Sequence, residues 1–165
     1  MRVAILGSSG QIGAYLTDYL RKKGHFVREF DIVNSYHEDM THIPNPFLRN
    51  VIMDSDFVFF LAFDVGGSHY LKKYQHTFKF IDNNTRMMPN GFGHLADYKK
   101  PFVFASSQMS NMSYSPYGVM KTLLKCGETE NKQGHSCTSM NVLRQPDDSW
   151  IQNLPNLSTS VRRRW

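Results

Sequence analysis

Cysteine is scarce. Only Cys126 and Cys137 occur in 165 residues, too few for a disulfide framework, and both are expected as free thiols. No apolar run approaches the roughly 20 residues that span a bilayer, which excludes a transmembrane chain. The opening MRVAILGSSG has too short an apolar stretch for a secretory signal and runs straight into a glycine turn, so a cytoplasmic protein is expected. Long tracts of one charge are missing too. The formal net charge is +5, but without Arg162, Arg163 and Arg164 only 16 basic residues face 14 acidic ones. No zinc-ligand spacing, basic helix or aromatic RNA-binding motif accompanies that terminal cluster, and no nucleic-acid partner is expected. The seven histidines are scattered without the spacing of a ligand pair, and no metal site is expected.

What remains is the composition of a folded domain. Hydrophobic residues make up 41% and aromatics 13%, enough for a real core and against disorder. The length suits one domain. RVAIL (Arg2 to Leu6) reads as a strand ended by Gly7. From Gln11 to Lys23 the period becomes helical, with Ile12, Leu16 and Leu20 on one face, basic residues in the last turn and Gly24 as the stop. His25 to Val33 reads as a second strand, and strand, helix, strand within so short a stretch demands a parallel pair. Asn34 to Pro46 is polar and loop-like; a short helix is expected over Phe47 to Met53. DFVFFLAF (Asp56 to Phe63) has the continuous apolar run of a strand buried on both faces. A helical region from Tyr70 to Tyr98 is expected to break in the middle, at Pro89, Gly91 and Gly93. Pro101 to Ser106 reads as a strand, Pro116 to Glu130 as a helix with proline at its start, and Thr138 to Arg144 as a further strand. Residues 145–165 lose the patterning. The whole predicts an α/β fold, a doubly wound parallel sheet (Rossmann-like) in three layers over 1–144, with an irregular tail over 145–165.

Three local features carry chemistry. Gly7-Ser8-Ser9-Gly10-Gln11-Ile12-Gly13 lies where a strand hands over to a helix. There glycines permit a tight turn and close approach of a pyrophosphate, while the helix N-terminus supplies N–H donors. A plain glycine turn is the competing reading. Asp31 falls at the end of the second strand, 18 positions beyond Gly13, where a carboxylate accepts hydrogen bonds from an adenosine ribose and repels a 2′-phosphate. This favours NAD over NADP; a turn aspartate is the alternative. Tyr117 and Lys121 stand i, i+4 and share a helix face. A neighbouring ammonium favours the phenolate and lowers the tyrosine pKa, fitting it for general acid–base work; a solvated surface pair is the alternative. Ser106 and Ser107 follow the strand PFVFA, at the sheet end where open α/β folds bind ligands.

Taken in order, these motifs resemble the extended short-chain dehydrogenase/reductase superfamily, in its NAD-dependent nucleotide-sugar epimerase/dehydratase branch. DFVFFLAF is similar to a family strand ending in Leu-Ala-Ala, here Leu61-Ala62-Phe63. IDNNT resembles the helix carrying the family's Asn-Val-x-Gly-Thr, with Asn84 the matching asparagine. VFASS followed by SPYGVMK matches its Ser…Tyr-x-x-x-Lys site. The resemblance covers about residues 1–125.

It implies Tyr117 as the acid/base at a sugar hydroxyl, Lys121 as holder of the nicotinamide ribose, and Ser107 as a group positioning the reacting oxygen. It implies cofactor contacts from Gly7, Ser9, Gly10, Gln11, Ile12, Gly13, Asp31, Leu61, Ala62, Phe63, Asn84, Tyr117 and Lys121. Asp39 and Met40 would bracket the adenine. It further implies a nucleotide-sugar substrate and a homodimer. Family members are considerably longer, their extra C-terminal part closing over the sugar, and the tail after Lys121 does not look like that part. A non-catalytic or truncated NAD-binding module is therefore the alternative to a working enzyme.

Overall fold

A computed structural model describes residues 1–130 and 137–141, with side chains described through residue 123. The tail 145–165, with Trp150 and Trp165, lies outside the described residues, as do Arg144 and the Cys126 and Cys137 thiols.

Five parallel strands run β1 (Arg2–Leu6), β2 (Phe26–Phe30), β3 (Phe57–Phe60), β4 (Phe102–Ser106) and β5 (Cys137–Asn141), in the order β2-β1-β3-β4-β5. The chain leaves β1 for β2 on one side and returns for β3 on the other. The crevice at the carboxyl end of β1 is thus a topological switch point, the place where open α/β sheets bind ligands.

Helices cover both faces. On one, α1 (Gln11–Lys22) lays Leu16 and Leu20 against Val3, Ile5, Phe57, Phe59 and Val103. On the other, α2 (Pro46–Met53) and α4 (Phe78–Asp97) pack on Ala4, Leu6, Val58, Phe60, Phe102 and Phe104. Residues of β3 alternate between the two cores and all four are buried; this is why its sequence reads as unbroken hydrophobics. Beside α4, α3 (Gly67–Tyr74) and α5 (Pro116–Glu130) meet through Leu71, Phe80, Tyr117 and Met120. The end of α1 closes as predicted: Gly24 has φ +80° and donates to the Arg21 carbonyl while His25 N–H reaches Leu20, the hydrogen-bond pattern of a Schellman cap.

Two expectations need correction. The strands at β2 and β3 are shorter than their apolar runs, because Ile32 and Val33 are exposed and Leu61 to Phe63 leave the sheet to line a cavity. The helix break lies at 75–77, where Thr77 accepts the Phe80 N–H as N-cap, and α4 runs unbroken through Pro89, Gly91 and Gly93. Tertiary contacts outweigh the proline. Asn90 Nδ2 donates to the Met40 and His42 carbonyls at 2.8 and 2.9 Å, and Gly91 lets the helix approach Phe60 so closely that a Cβ would lie 2.6 Å from the ring.

Gly93, by contrast, has nothing within 4 Å of where a Cβ would stand. The same substitution two residues apart should therefore have opposite signs. Gly93→Ala is expected to stabilise by up to about 1 kcal/mol through helix propensity. Gly91→Ala should destabilise by about 1–3 kcal/mol through overpacking against Phe60 and Met40. Denaturant unfolding of the two variants checks this, and equal signs would refute it.

Candidate functional site

The segment after β1 shows why its glycines stand where they do. Gly7 takes φ +90°, and a Cβ there would sit 2.7 Å from the Ala62 nitrogen at the end of β3. At Gly13 a Cβ would meet the Gly7 carbonyl oxygen at 2.1 Å. Gly13 therefore seats α1 on the turn itself. Gly10 caps α1 without a side chain, which leaves first-turn N–H groups, such as those of Gln11 and Ile12, available to an anion.

Asp31 is the first residue past β2. Its Oδ2 accepts the Ser9 N–H at 2.9 Å and its Oδ1 accepts the Val33 N–H at 3.0 Å, so the carboxylate ties the glycine turn to the strand end. Each oxygen retains a second lone pair for a ligand hydroxyl. The Glu38 carboxylate accepts the Asp31 N–H at 2.8 Å, and Ser9 Oγ donates to Asn34.

Above this turn lies a cavity of about 610 Å³. Of the residues expected to contact a cofactor, Gly7, Gly10, Asp31, Asp39, Met40, Leu61, Ala62 and Phe63 line it. Ser9, Gln11, Ile12, Gly13, Asn84, Tyr117 and Lys121 do not. Asn84 is fully buried, its Oδ1 accepting the Asp64 N–H and its Nδ2 donating to the Asp64 and Phe80 carbonyls. Its amide thus ties the loop after β3 to α4, outside the cavity lining.

Sequence reasoning missed part of the lining. Asp64 accepts from Tyr70 Oη at 2.6 Å and from Asn83 Nδ2 at 2.9 Å, and this contact pushes the Tyr70 phenol up to about 12. Asp64, Tyr70 and Asn83 line the cavity with Lys79. Lys79 is the one cation among lining residues that also include Asp31, Glu38, Asp39 and Asp64. Lys22, Lys23 and Arg28, the cations near Asp31 in sequence, are not in the lining. The polar run DNN gives a sequence signal for Asn83, but the pairing with Asp64 depends on the loop path.

The third cluster sits at the carboxyl end of β4. Ser107 caps a 3-10 turn, accepting the Met109 N–H at 3.2 Å, and hydrogen-bonds Tyr117. Its neighbour Ser106 is buried with no hydrogen-bond partner among the described residues. A Cβ at Gly118 would stand 2.1 Å from the Met109 carbonyl oxygen, so this glycine brings α5 down onto the serine turn. Ser107, Tyr117 and Lys121 are thereby gathered into one place.

Lys121 is only 4% exposed; its Nζ donates to the Ala105 carbonyl at 2.8 Å and lies 3.8 Å from the centre of the Phe63 ring. A desolvated ammonium on an aromatic face gains about 2 kcal/mol. Burial nevertheless pulls Lys121 down to about 7. Burial also raises the Tyr117 phenol, with the Ser107 hydrogen bond acting the other way. The depressed tyrosine expected from the i, i+4 pair is therefore absent. Lys121 Nζ stands 5.7 Å from the Tyr117 ring centre, and the desolvation of the phenol is the larger effect.

The glycine cradle, the carboxylate at the β2 end and the unfilled first turn of α1 suit the adenosine and pyrophosphate of a dinucleotide. Comparison with known proteins agrees in fold. A UDP-glucose 4-epimerase superposes with a TM-score of 0.68 at 16% identity, over 84% of this chain and 50% of that one. A short-chain dehydrogenase/reductase superfamily protein from Agrobacterium tumefaciens with bound NAD gives 0.65 at 19% identity, over 86% and 48%. A GDP-L-fucose synthetase from Naegleria fowleri bound to NADP gives 0.58 at 16%, over 86% and 49%. The chain thus spans about half the length of these structures. Comparison with curated protein sequences found no match. The family model for NAD dependent epimerases and dehydratases matches residues 3–125, from the first strand to beyond Lys121. With the glycine turn, Asp31 and the Ser107–Tyr117–Lys121 cluster in order within that span, the chain belongs to the NAD-dependent epimerase/dehydratase family.

Proposed function

We propose that this chain binds NAD in the cavity above the β1 turn and forms the cofactor half of an enzyme acting on a nucleotide sugar. The observation that carries the reading is the gathering of Ser107, Tyr117 and Lys121 at the carboxyl end of the same sheet whose switch point holds the glycine cradle. Bound NAD would supply the hydride acceptor and donor. Gly7, Gly10 and the first turn of α1 would hold its pyrophosphate and Asp31 its adenosine ribose, with Asp39 and Met40 beside the adenine.

Tyr117 moves the proton at its phenol oxygen, taking it from a sugar hydroxyl or returning it. Burial keeps the resting phenol protonated, so its basic form depends on stabilisation from Ser107 and from a charged Lys121. Epimerisation, dehydration and reduction all fit this proton step. A cytoplasmic setting and a homodimer accompany the reading, by analogy with the family. No helix among the described residues is long and apolar enough to cross a membrane.

A second reading is a non-catalytic NAD-binding module. It is favoured by a cavity lining that includes none of Ser107, Tyr117 and Lys121. Exchange of Tyr117 for Phe separates the two. On the enzymatic reading, Tyr117→Phe lowers turnover of a nucleotide sugar by about 10²–10⁴-fold, with NADH affinity within about threefold. No turnover by the unaltered chain with any such sugar leaves the binding module.

Cofactor preference follows from the charges. Four carboxylates and one lysine around the cavity disfavour a 2′-phosphate, so NADH should bind at least about tenfold more tightly than NADPH in calorimetric titration. Asp31→Ser should narrow that ratio; an NADPH preference in the unaltered chain refutes the assignment. Lys121 makes a separate prediction. Its ammonium titrates near 7 when folded and near 10.5 when not, so the unfolded chain binds more protons between these values and stability rises with pH across that window. Lys121→Met should flatten the rise in urea unfolding between pH 7 and 10. An unchanged slope would count against a desolvated Lys121.

A further inference from the structure

The cavity and the Ser107–Tyr117–Lys121 cluster meet at the Phe63 side chain. Phe63 lines the cavity. Its ring also carries Lys121 Nζ on its face at 3.8 Å and meets the Tyr117 ring edge-on, with centroids 5.4 Å apart at 80°. Behind it Lys121 is 4% and Tyr117 8% exposed. The only described acceptor for the ammonium is the Ala105 carbonyl, so the aromatic face occupies the place of any other partner. Phe63 itself stands three residues past β3 and two beyond Leu61, whose N–H donates to the Leu6 carbonyl at 2.8 Å. Asn84 fixes the next residue, Asp64, through its backbone N–H and carbonyl. The backbone on either side is anchored, and the half-buried side chain packs at the meeting of two hydrophobic clusters.

We propose that Phe63 is a gate between the two halves of the site. With its ring on Lys121, the chain holds a dinucleotide through the adenosine diphosphate half alone; the nicotinamide half docks only when the ring leaves Lys121. The inference rests on the dinucleotide reading above and adds to it the residue that decides how much of the cofactor is gripped. Three features point this way together: the cradle and Asp31 lie on the cavity side of the ring, Tyr117 and Lys121 lie behind it, and no lining residue comes from β4 or α5. A cofactor part entering the cluster must take the Phe63 ring off Lys121 and give up that cation–aromatic contact, a cost the glycine-turn side does not share.

The test is a calorimetric titration of the full chain with ADP and with NADH, followed by the nicotinamide fluorescence of the NADH complex. In the unaltered chain the two dissociation constants should agree within about threefold and the bound nicotinamide should fluoresce as in water. In Phe63→Ala, NADH should bind at least about tenfold more tightly with enhanced, blue-shifted emission, and ADP should be little changed. Lys121 supplies a readout without nucleotide. Its acylation by an amine reagent, followed by peptide mass, should be at least about tenfold faster in Phe63→Ala than in the unaltered chain. NADH binding about tenfold tighter than ADP in the unaltered chain, or enhanced nicotinamide emission there, overturns the gate and leaves the dinucleotide reading standing. This arm needs no variant, so a misfolded Phe63→Ala does not remove the test. Failure of both ADP and NADH to bind the folded chain overturns the gate and the dinucleotide reading together.

Discussion

Backbone meets backbone at the carboxyl end of β1, and much else is arranged around that contact. The turn at Gly7 is pressed between the end of β3 on one side and the first turn of α1 on the other, at separations that leave no room for a Cβ at Gly7 or Gly13. Gly7 N–H also donates to the Phe30 carbonyl at 2.8 Å, fastening the turn to the end of β2. Three strand ends are thereby drawn to one point. Gly7 and Gly10 put main chain rather than side chain against the cavity, and Gly10 leaves the first turn of α1 without a side-chain cap.

The site is divided electrostatically as well as sterically. Its glycine-turn side is a surface of carboxylates, each with a structural task already: Asp31 closes the glycine turn, Glu38 holds Asp31, Asp39 binds Thr41, and Asp64 binds Tyr70 and Asn83. Its cluster side is dry, with a lysine that has traded water for a carbonyl and an aromatic face. Acid–base chemistry in such a place depends on when the charge is re-solvated or paired, since an isolated ammonium there is held down near neutrality. Phe63 belongs to both sides and sets the boundary.

Much of this was legible in the sequence. Strand and helix periods placed the five strands and α1, α2 and α5, because β3 and β4 are buried on both faces and α1 shows a clear apolar stripe. Ser107, Tyr117 and Lys121 were legible because two of them are bound by helix geometry and the third ends a strand. The misplaced helix break has a physical cause: Pro89 removes one hydrogen bond, while Asn90 and Gly91 recover more through contacts with residues 40–42 and Phe60. Those partners are some fifty and thirty positions away in sequence, beyond the reach of local propensity. Thr77, a favoured N-cap residue, is the sign of that break in the sequence. The position of the Phe63 ring and the hold of Asn84 on Asp64 follow from a loop path, and loops carry no period to read.

Asn90 has one more consequence. From the middle of α4 it grips two carbonyls of the segment that follows β2, which has little regular structure of its own. That segment therefore borrows its order from a long helix packed on the far strands, and the two share one opening event. Amide protons of residues 40–42 should therefore exchange on the clock of α4, which meters how far Asp39 and Met40 move at the cavity wall.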